Sequence, residues 1–587
     1  MTRERLHLQL IQENPVTGDV SGNTDMVLKY LAKGQDADLL IFSECFLTGY
    51  PVSDLVLRSG FIHSVDRAIA RIRDAVIEAS GPAILVGAPQ SGSNLPYNAA
   101  FLIEPTGSIR IVQKTELPNN DVFDERRTFA VSANARPAPL RFRGFNLGIQ
   151  ICEDMWHGDV SASLAEELAD VLVVLNGSPY QRGKREMRFK NARARVRSTG
   201  LPLIYVNQVG SQDELVFDGA SFTMGLQENV LEAKAFMPDV MNIDLIRREN
   251  GTAKIRPADA DFFEPRPSYP DTDIASDYMA CVLGLRDYIA KTGSPRVFVG
   301  VSGGLDSALV LAMAADAIGK ERVVGVMMPS EHTGQESLDL ADDLMTRLGV
   351  VKENITINSG FDVIDKSVTE TASRIAAVIK TDVDMGVTRE NFQARLRGMH
   401  LMGLSNALGG IVLSTGNKSE SAVGYCTLYG DMVGGFNPLK SVYKSDAFDM
   451  ARWRNAVDLA DSPIDLLGCN DPIPVGIIDR PPSAELSDNQ TDEAVLGSYL
   501  ILDEVLRLLV EEGIDQTAVA AMIKKSHGED WIAQETGGRD AHTYTGKIAA
   551  LVRGAQYKRV QAPPGVKLNP TDFGLGWRYP IAGTYRL

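Results

Sequence analysis

The chain has 587 residues, which at ~150 residues per domain leaves room for about four domains, or for two large α/β ones. Hydrophobic residues at 44% and charged residues at 23% exclude a disordered or fibrous protein and indicate a compact, water-soluble one. Lys plus Arg number 59 against 76 Asp plus Glu, a net charge of −17, and such a field repels polyphosphate backbones and anionic lipid. The composition therefore predicts no nucleic-acid or membrane partner.

The N-terminus, MTRERLHLQLIQENP, has no sustained apolar run before Gln, Glu and Asn, so it does not read as a signal peptide. No stretch reaches the ~18 apolar residues of a membrane span, and a cytoplasmic location is expected. Short runs rich in Ile, Val and Leu then recur at 6–12, 38–43, 83–88, 99–103, 109–113, 145–151, 171–175 and 203–206. Runs of this length predict buried strands. Helical patterns at 62–80 and 187–198 lie between several of them, which makes this half an α/β layered sandwich. Residues 258–273 concentrate Pro and Asp without periodicity and are assigned as a linker between domains 1–257 and 274–587.

Beyond the linker, helical spacing at 274–291 is followed by alternating strands and helices. The predicted strands are 297–301, 324–328, 355–358 and 411–414, and the helices begin near Ala308 and cover 336–348 and 391–408. That order predicts a doubly wound, mostly parallel sheet. The last third is more irregular, with Pro-rich loops at 471–483 and 562–570 around a helix at 494–512.

Cysteine is sparse and odd in number: Cys45, Cys152, Cys281, Cys426 and Cys469, with no Cys-x-x-Cys pair and no His at zinc-ligand spacing. A disulfide framework or structural zinc is not indicated, and a nucleophilic role stays open. Three reactive side chains each follow an apolar run: Glu44 after LLIFS, Lys114 after IRIVQ and Cys152 after FNLGIQI. Strand carboxyl ends are where side chains converge on a ligand crevice in an α/β sheet. A thiol with an ordinary pKa of about 8.5 needs a base or a cation to become a useful nucleophile. Glu44 can take its proton, and Lys114 can stabilise an oxyanion. Taken singly, each residue also has an ordinary reading: a packed Cys, a solvated Lys and a strand-end acid.

The flanking strings FSECFLTGYPVSDL (42–55), KTELPNNDVFDERRTF (114–129), GIQICEDMW (148–156) and NGSPY (176–180) resemble, in order and spacing, the nitrilase-type glutaminase domain of glutamine-dependent NAD synthetases. The resemblance implies an αββα sandwich with Glu44 as base, Lys114 as oxyanion stabiliser and Cys152 as nucleophile. It further implies that Tyr50, Glu153, Ser178 and Lys184 hold glutamine. Position 120 belongs to that glutamine set too, although Asn120 stands where many relatives carry an aromatic.

In the second half, strand 297–301 runs straight into Ser302, Gly303, Gly304, Leu305, Asp306 and Ser307, followed by the helical run ALVLAMAADAIG. Adjacent glycines admit an anion close to backbone N–H groups, the hydroxyls add donors, and the helix N-terminus adds partial positive charge. GVSGG also satisfies the nucleophile elbow of α/β-hydrolases, with His400, His527 and His542 later in the chain as potential triad partners. No Walker A loop and no G-x-G-x-x-G fingerprint occurs.

SGGLDS resembles the loop of the N-type ATP pyrophosphatases, which implies adenylation of a substrate rather than its phosphorylation. That loop alone leaves GMP, asparagine and NAD synthetases open. The strings ENFQARLRGMHLMGLSN, STGNKSESAVGYCTLYGDMVGGFNPLKSVYKSD and RPPSAELSDNQTDE resemble the synthetase domain of NAD synthetases. They imply a doubly wound ATP pyrophosphatase domain in which residues 302–307, Met328, Thr415, Lys444 and Ser483 bind ATP. Asn391, Glu420 and Lys558 would face deamido-NAD, and Asp306 and Glu420 would hold Mg²⁺. Ammonia released from glutamine would pass through the interior to this site, NAD would be the product, and no redox cofactor is implied. Family members assemble as homo-oligomers, and the same is expected here. The competing readings are an amidotransferase for another acceptor and a nucleotide-binding protein without turnover.

Overall fold

The computed structural model describes residues 4–583 apart from 135, 250, 259–268, 271, 463 and 482–494. The chain divides into two compact units, Met1–Asp273 and Ile274–Leu587.

The first unit is built on two sheets. One has seven strands in the order Ala253–Pro257, Asp239–Arg247, Arg5–Gln12, Leu39–Ile41, Ala83–Gln90, Tyr97–Ile103 and Ile109–Gln113. The other has six, in the order Val230–Glu232, Phe222–Met224, Leu203–Asn207, Val171–Asn176, Phe145–Ile151 and Leu140–Phe142. The apolar runs are continuous because both faces of each central strand are covered. Leu39 and Ile41 enter the core between the sheets together with Val171, Val173 and Leu175. Leu40 faces outward onto helices Val20–Lys33 and Ser59–Ala79, and Leu172 and Val174 face Gly158–Glu166 and Lys184–Thr199. Helices thus cover both outer faces, and the unit is an αββα sandwich. Seven further strands, all short or partly exposed, were not foreseen from the sequence: 140–142, 209–212, 215–218, 222–224, 230–232, 239–247 and 253–257.

The second unit holds a four-stranded, fully parallel sheet in the order Val351–Asn354, Val323–Met327, Val297–Gly300 and Ile411–Leu413. The strand predicted at 355–358 forms instead at 351–354, where all four residues are exposed. It is an edge strand paired on one side only, so a charged VKEN sequence is tolerated and guards the open edge. Ile357 then tucks into the core, and a helix not foreseen from the sequence, Asn358–Ile379, begins. The helix expected near Ala308 starts at Leu305, inside the glycine-rich loop. The helix expected over 494–512 runs as Tyr499–Leu506 and passes into a π-turn, Arg507–Glu511; position 494 lies outside the described residues. No described helix is long and apolar enough to cross a membrane.

A buried ion pair ties together the two helices that reach the candidate nucleotide site. Helix Leu305–Ile318 carries Asp306 in its first turn and Asp316 near its end; helix Lys444–Ala456 begins with Lys444 and carries Arg454. Arg454 is fully buried and donates to Asp316 twice, at 2.7 and 2.9 Å, and Tyr278 donates to the same carboxylate at 2.6 Å. Removing one partner of such a pair leaves the other charge uncompensated. Arg454→Ala is therefore expected to destabilise the second unit by about 3–5 kcal/mol in chemical denaturation; a loss under about 0.5 kcal/mol, the size seen at ordinary surface sites, would contradict this role.

Candidate active sites

In the first unit the strand ends bring Glu44, Lys114 and Cys152 together. Glu44 and Lys114 are fully buried, and Cys152 is buried. Lys114 Nζ donates to Glu44 Oε1 at 2.7 Å, and Asn98 Nδ2 donates to the same oxygen at 2.8 Å. Glu44 Oε2 accepts from the Gly177 backbone N–H at 2.8 Å. A side chain at 177 would put a Cβ 2.8 Å from the Tyr50 ring, so glycine is what lets this N–H reach the carboxylate. Cys152 directly follows strand Phe145–Ile151 with φ +45, a left-handed conformation uncommon outside glycine and the kind of strain found at functional sites. Burial and the neighbouring Glu44 carboxylate push its thiol well above the ordinary range, against the pull of Lys114. The sulfur is accordingly a thiol beside a carboxylate.

Two carboxylates that bond to this cluster were not singled out from the sequence. Glu125, on the one-turn helix Glu125–Thr128, accepts from Lys114 Nζ at 3.0 Å and from the Tyr50 hydroxyl at 2.7 Å. Burial pushes its carboxyl up, with Lys114 opposing and Glu44 adding to the rise. Lys114 therefore lies between two carboxylates, which raise its pKa despite burial. Asp154 Oδ1 accepts from the backbone N–H of Thr115 and Glu116, at 3.0 and 2.8 Å, and Oδ2 from Ile151 at 3.0 Å. One carboxylate thus staples the Lys114 loop to the residue before Cys152, and burial pushes its pKa up to about 6. The signals available were a Glu eleven residues past Lys114 inside FDERRTF and an Asp two past Cys152.

The residues expected to hold glutamine are distributed around this cluster. Tyr50 is buried and bonded to Glu125. Ser178 is buried, its N–H on Asn207 Oδ1 at 2.9 Å and its hydroxyl accepting from Arg188 at 3.1 Å. Lys184 opens helix Lys184–Thr199, lies over the Trp156 ring at 4.7 Å, and has its pKa lowered by burial and by Arg188. Glu153 is half-buried, 3.5 Å from His157. Asn120 is exposed; the aromatic placed against Tyr50 is Phe123, with ring centroids 6.3 Å apart.

In the second unit a cavity of about 690 Å³ opens over the ends of the parallel strands. All six residues of 302–307 line it, with Met328, Asn391, Thr415, Glu420, Lys444 and Lys558. Gly303 has φ +80, and a Cβ there would lie 2.3 Å from the Ser337 carbonyl, so both conformation and space demand glycine. Ser302 and Ser307 brace the loop: their hydroxyls are 3.1 Å apart, and Gly304 N–H donates to Ser302 Oγ at 3.2 Å. No lining residue is a histidine, and His527 instead pairs with Glu504 on an exposed face, so the hydrolase reading of GVSGG has no triad here. Lys444 Nζ donates to Asp306 Oδ2 at 2.6 Å and is 3.7 Å from Glu420. Among the described residues, Asp306 Oδ1 is buried without a hydrogen-bond partner. Arg397 and Arg480 also line the cavity and add cationic character that the sequence reading did not include. Ser483 lies outside the described residues.

The comparisons with known proteins match both units. The carbon-nitrogen hydrolase family model matches residues 8–239 and the NAD synthase family model residues 278–535. The chain is therefore an enzyme of the class that joins a nitrilase-fold domain to an NAD synthase domain. It is 41% identical over 588 residues to a glutamine-dependent NAD(+) synthetase of Rhodobacter capsulatus, covering 99% of each chain, and 35% identical to one of Thermotoga maritima, also covering 99% of each. Among solved structures, the glutamine-dependent NAD+ synthetase of Acinetobacter baumannii in complex with ADP is 34% identical with a TM-score of 0.71, covering 98% of each chain. The synthetase of Cytophaga hutchinsonii, 18% identical with a TM-score of 0.74 over 99% of this chain and 98% of that one, shares the fold. The chain belongs to the glutamine-dependent NAD(+) synthetase family.

Because burial and Glu44 raise the Cys152 thiol, its thiolate fraction stays small near neutrality and grows as pH rises. Iodoacetamide labelling of Cys152, followed by peptide mass spectrometry, is expected to accelerate through about pH 9; a plateau below about pH 8 would show a resting thiolate and contradict the assignment of Glu44 as base.

Proposed function

We propose that Cys152 hydrolyses glutamine and that the 302–307 cavity uses the released ammonia to amidate deamido-NAD. The observation that carries the first half is the fully buried Glu44–Lys114 pair at 2.7 Å beside a buried thiol. Glu44 takes the thiol proton as sulfur attacks the amide carbon, and the Lys114 ammonium faces the oxyanion that develops. The C–N bond then breaks, the proton held by Glu44 goes to the leaving nitrogen, and ammonia departs from a γ-glutamyl thioester. Water, deprotonated by Glu44, cleaves the thioester to glutamate and returns the thiol. Glu125 and Asp154 are positioning residues: the first holds Lys114 and Tyr50, the second fixes the Lys114 loop against Cys152. Tyr50, Ser178 and Lys184, with Glu153, bind the amino acid part of glutamine. Asn120 belongs to the same reading as an exposed residue of the pocket's outer loop.

In the second unit the backbone N–H groups of 302–307 and the start of helix Leu305–Ile318 grip the phosphates of ATP. A nicotinate carboxylate oxygen attacks the α-phosphorus and pyrophosphate leaves; ammonia then adds to the adenylated carbonyl carbon and AMP leaves. Thr415, Met328 and Lys444 contact the nucleotide, with Ser483 in the segment outside the described residues. Asn391, Glu420 and Lys558 face deamido-NAD. Asp306 and Glu420 suit Mg²⁺, which commonly takes one or two carboxylates and completes its shell with phosphate oxygens and water. The buried, unpartnered Asp306 Oδ1 supports that assignment. When bound, the ion supplies charge neutralisation of the polyphosphate. Lys444 balances the Asp306 and Glu420 carboxylates from the protein side.

Association of copies of this chain is part of the proposal. On helix Asn358–Ile379, Phe361 and Ile364 pack on the core, and the same apolar face continues through Val368, Ile375, Val378 and Ile379, all exposed. A stripe that outlasts its core is the kind of surface a second copy would cover. A cytoplasmic location fits the five free cysteines.

Cys152→Ala is expected to abolish glutamine-driven NAD synthesis and to leave synthesis from ammonium salts intact, whereas Asp306→Ala removes synthesis from either nitrogen source. Loss of both activities in a folded Cys152→Ala protein would contradict two separable sites.

A further inference from the structure

Tyr269 lies in the segment that read as linker, yet it is built into the first unit. Its hydroxyl donates to Asp218 Oδ2 at 3.1 Å, and its ring lies 4.8 Å from the Arg185 guanidinium and 5.9 Å from the Phe236 ring. Asp218 is buried at the end of strand Leu215–Asp218 and accepts from Arg188 Nη1 at 2.8 and 2.9 Å. Arg188 spends the rest of its donors on one target. Nε donates to Ser178 Oγ at 3.1 Å, and Nη2 to the carbonyls of Ser178 and Pro179 at 2.9 and 3.0 Å. A planar guanidinium with every N–H committed has a single orientation, so Asp218 helps to fix where Ser178 sits, alongside Asn207, which accepts from the Ser178 N–H at 2.9 Å and donates to its carbonyl at 3.1 Å.

The helix geometry extends the effect to Lys184. Arg188 is four residues beyond Lys184 on the same face of helix Lys184–Thr199, and Arg185, in the first turn, is held between the Tyr269 ring and Glu232, to which it donates at 2.9 and 2.7 Å. Tyr269 therefore touches this helix on two sides, once through Arg185 and once through Asp218 and Arg188. Both chains end at residues assigned to glutamine binding, Lys184 and Ser178. Among the described residues, Glu44, Lys114 and Glu125 are bonded by Asn98, Gly177, Tyr50 and one another, outside both of these relays.

We infer that Tyr269 is a positioning residue of the glutamine pocket, acting through Asp218–Arg188 on Ser178 and through Arg185 on the first turn that carries Lys184. The inference rests on the assignment of Ser178 and Lys184 to glutamine. It follows that the functional glutaminase unit extends through residue 269 rather than ending at the last strand, Ala253–Pro257. Substrate placement should depend on Tyr269 while the covalent chemistry does not.

The test uses the full-length enzyme. Tyr269→Phe removes the hydroxyl and keeps the ring, and is expected to raise KM for glutamine at least about threefold while kcat of glutamine hydrolysis changes less than about twofold. Its ammonia-driven synthesis reports that the second unit is folded, and its retained kcat of glutamine hydrolysis reports the same of the first. Ser178→Ala is measured alongside and is expected to raise the same KM. An unchanged KM in Tyr269→Phe beside a raised one in Ser178→Ala would overturn the inference and leave the pocket assignment standing; so would a loss confined to kcat. No effect of Ser178→Ala would overturn the pocket assignment, and the inference with it.

Discussion

Glu44, Lys114 and Glu125 place two carboxylates and an ammonium where water does not reach, with Lys114 at 2.7 and 3.0 Å from its partners. Burying ions costs several kcal/mol each after relaxation, a cost offset by ion pairing together with hydrogen bonds to the charged groups. Glu125 Oε2 has its ion-pair contact with Lys114 at 2.9 Å and no hydrogen bond, while Asn98 and Gly177 bond Glu44 and Tyr50 bonds Glu125 Oε1. Each comes from a different element, so the sandwich has to deliver a strand, two loops and a one-turn helix to one point before the cluster can exist. The glycine at 177, the left-handed backbone at Cys152 and the Asp154 staple are local consequences of that demand. The result is a carboxylate and an ammonium held in fixed, buried positions beside a thiol that burial keeps protonated, the kind of preorganised charge that stabilises developing charge.

The second unit meets a similar demand by other means. Its anionic substrates carry the charge, so the protein supplies N–H groups, a helix start and cations. Lys444 and Asn417 both donate to Asp306 Oδ2, and Oδ1 is left without a hydrogen-bond partner among the described residues. The Arg454–Asp316 pair at the far ends of the same two helices keeps Asp306 and Lys444 in register. The lining of the second site sets Arg397, Lys444, Arg480 and Lys558 beside Asp306, Glu390, Glu420 and Asp431, so its charge is balanced locally and does not follow the overall −17.

Much of this was legible in the sequence because it rests on short-range pattern. Apolar runs buried on both faces marked the inner strands of both sheets, and Glu44, Lys114 and Cys152 were found because each ends such a run. The loop 302–307 announced itself by adjacent glycines before a helix. Glu125 was not legible, since a one-turn helix in a polar loop has no periodicity, and its role comes from contacts with Lys114 and Tyr50. The Arg188–Asp218 pair joins residues 30 apart, across a helix and a strand whose register only the fold sets. The strand at 351–354 was missed for the opposite reason: as an edge it carries charge, and the apolar residues after it drew the assignment four positions on. Asn120 marks a limit of motif reasoning, because the position is exposed and the aromatic beside Tyr50 comes from Phe123.

The account stands on Cys152 as the atom that takes the acyl group from glutamine. Rapid acid quenching of the wild-type enzyme during glutamine turnover, followed by peptide mass spectrometry, tests this directly. A γ-glutamyl adduct on the peptide containing Cys152, lost in Glu44→Gln under the same quench, is the predicted result. Turnover with the adduct on Cys45, Cys281, Cys426 or Cys469, or with no adduct on any cysteine and none in variants that slow thioester hydrolysis, would contradict it.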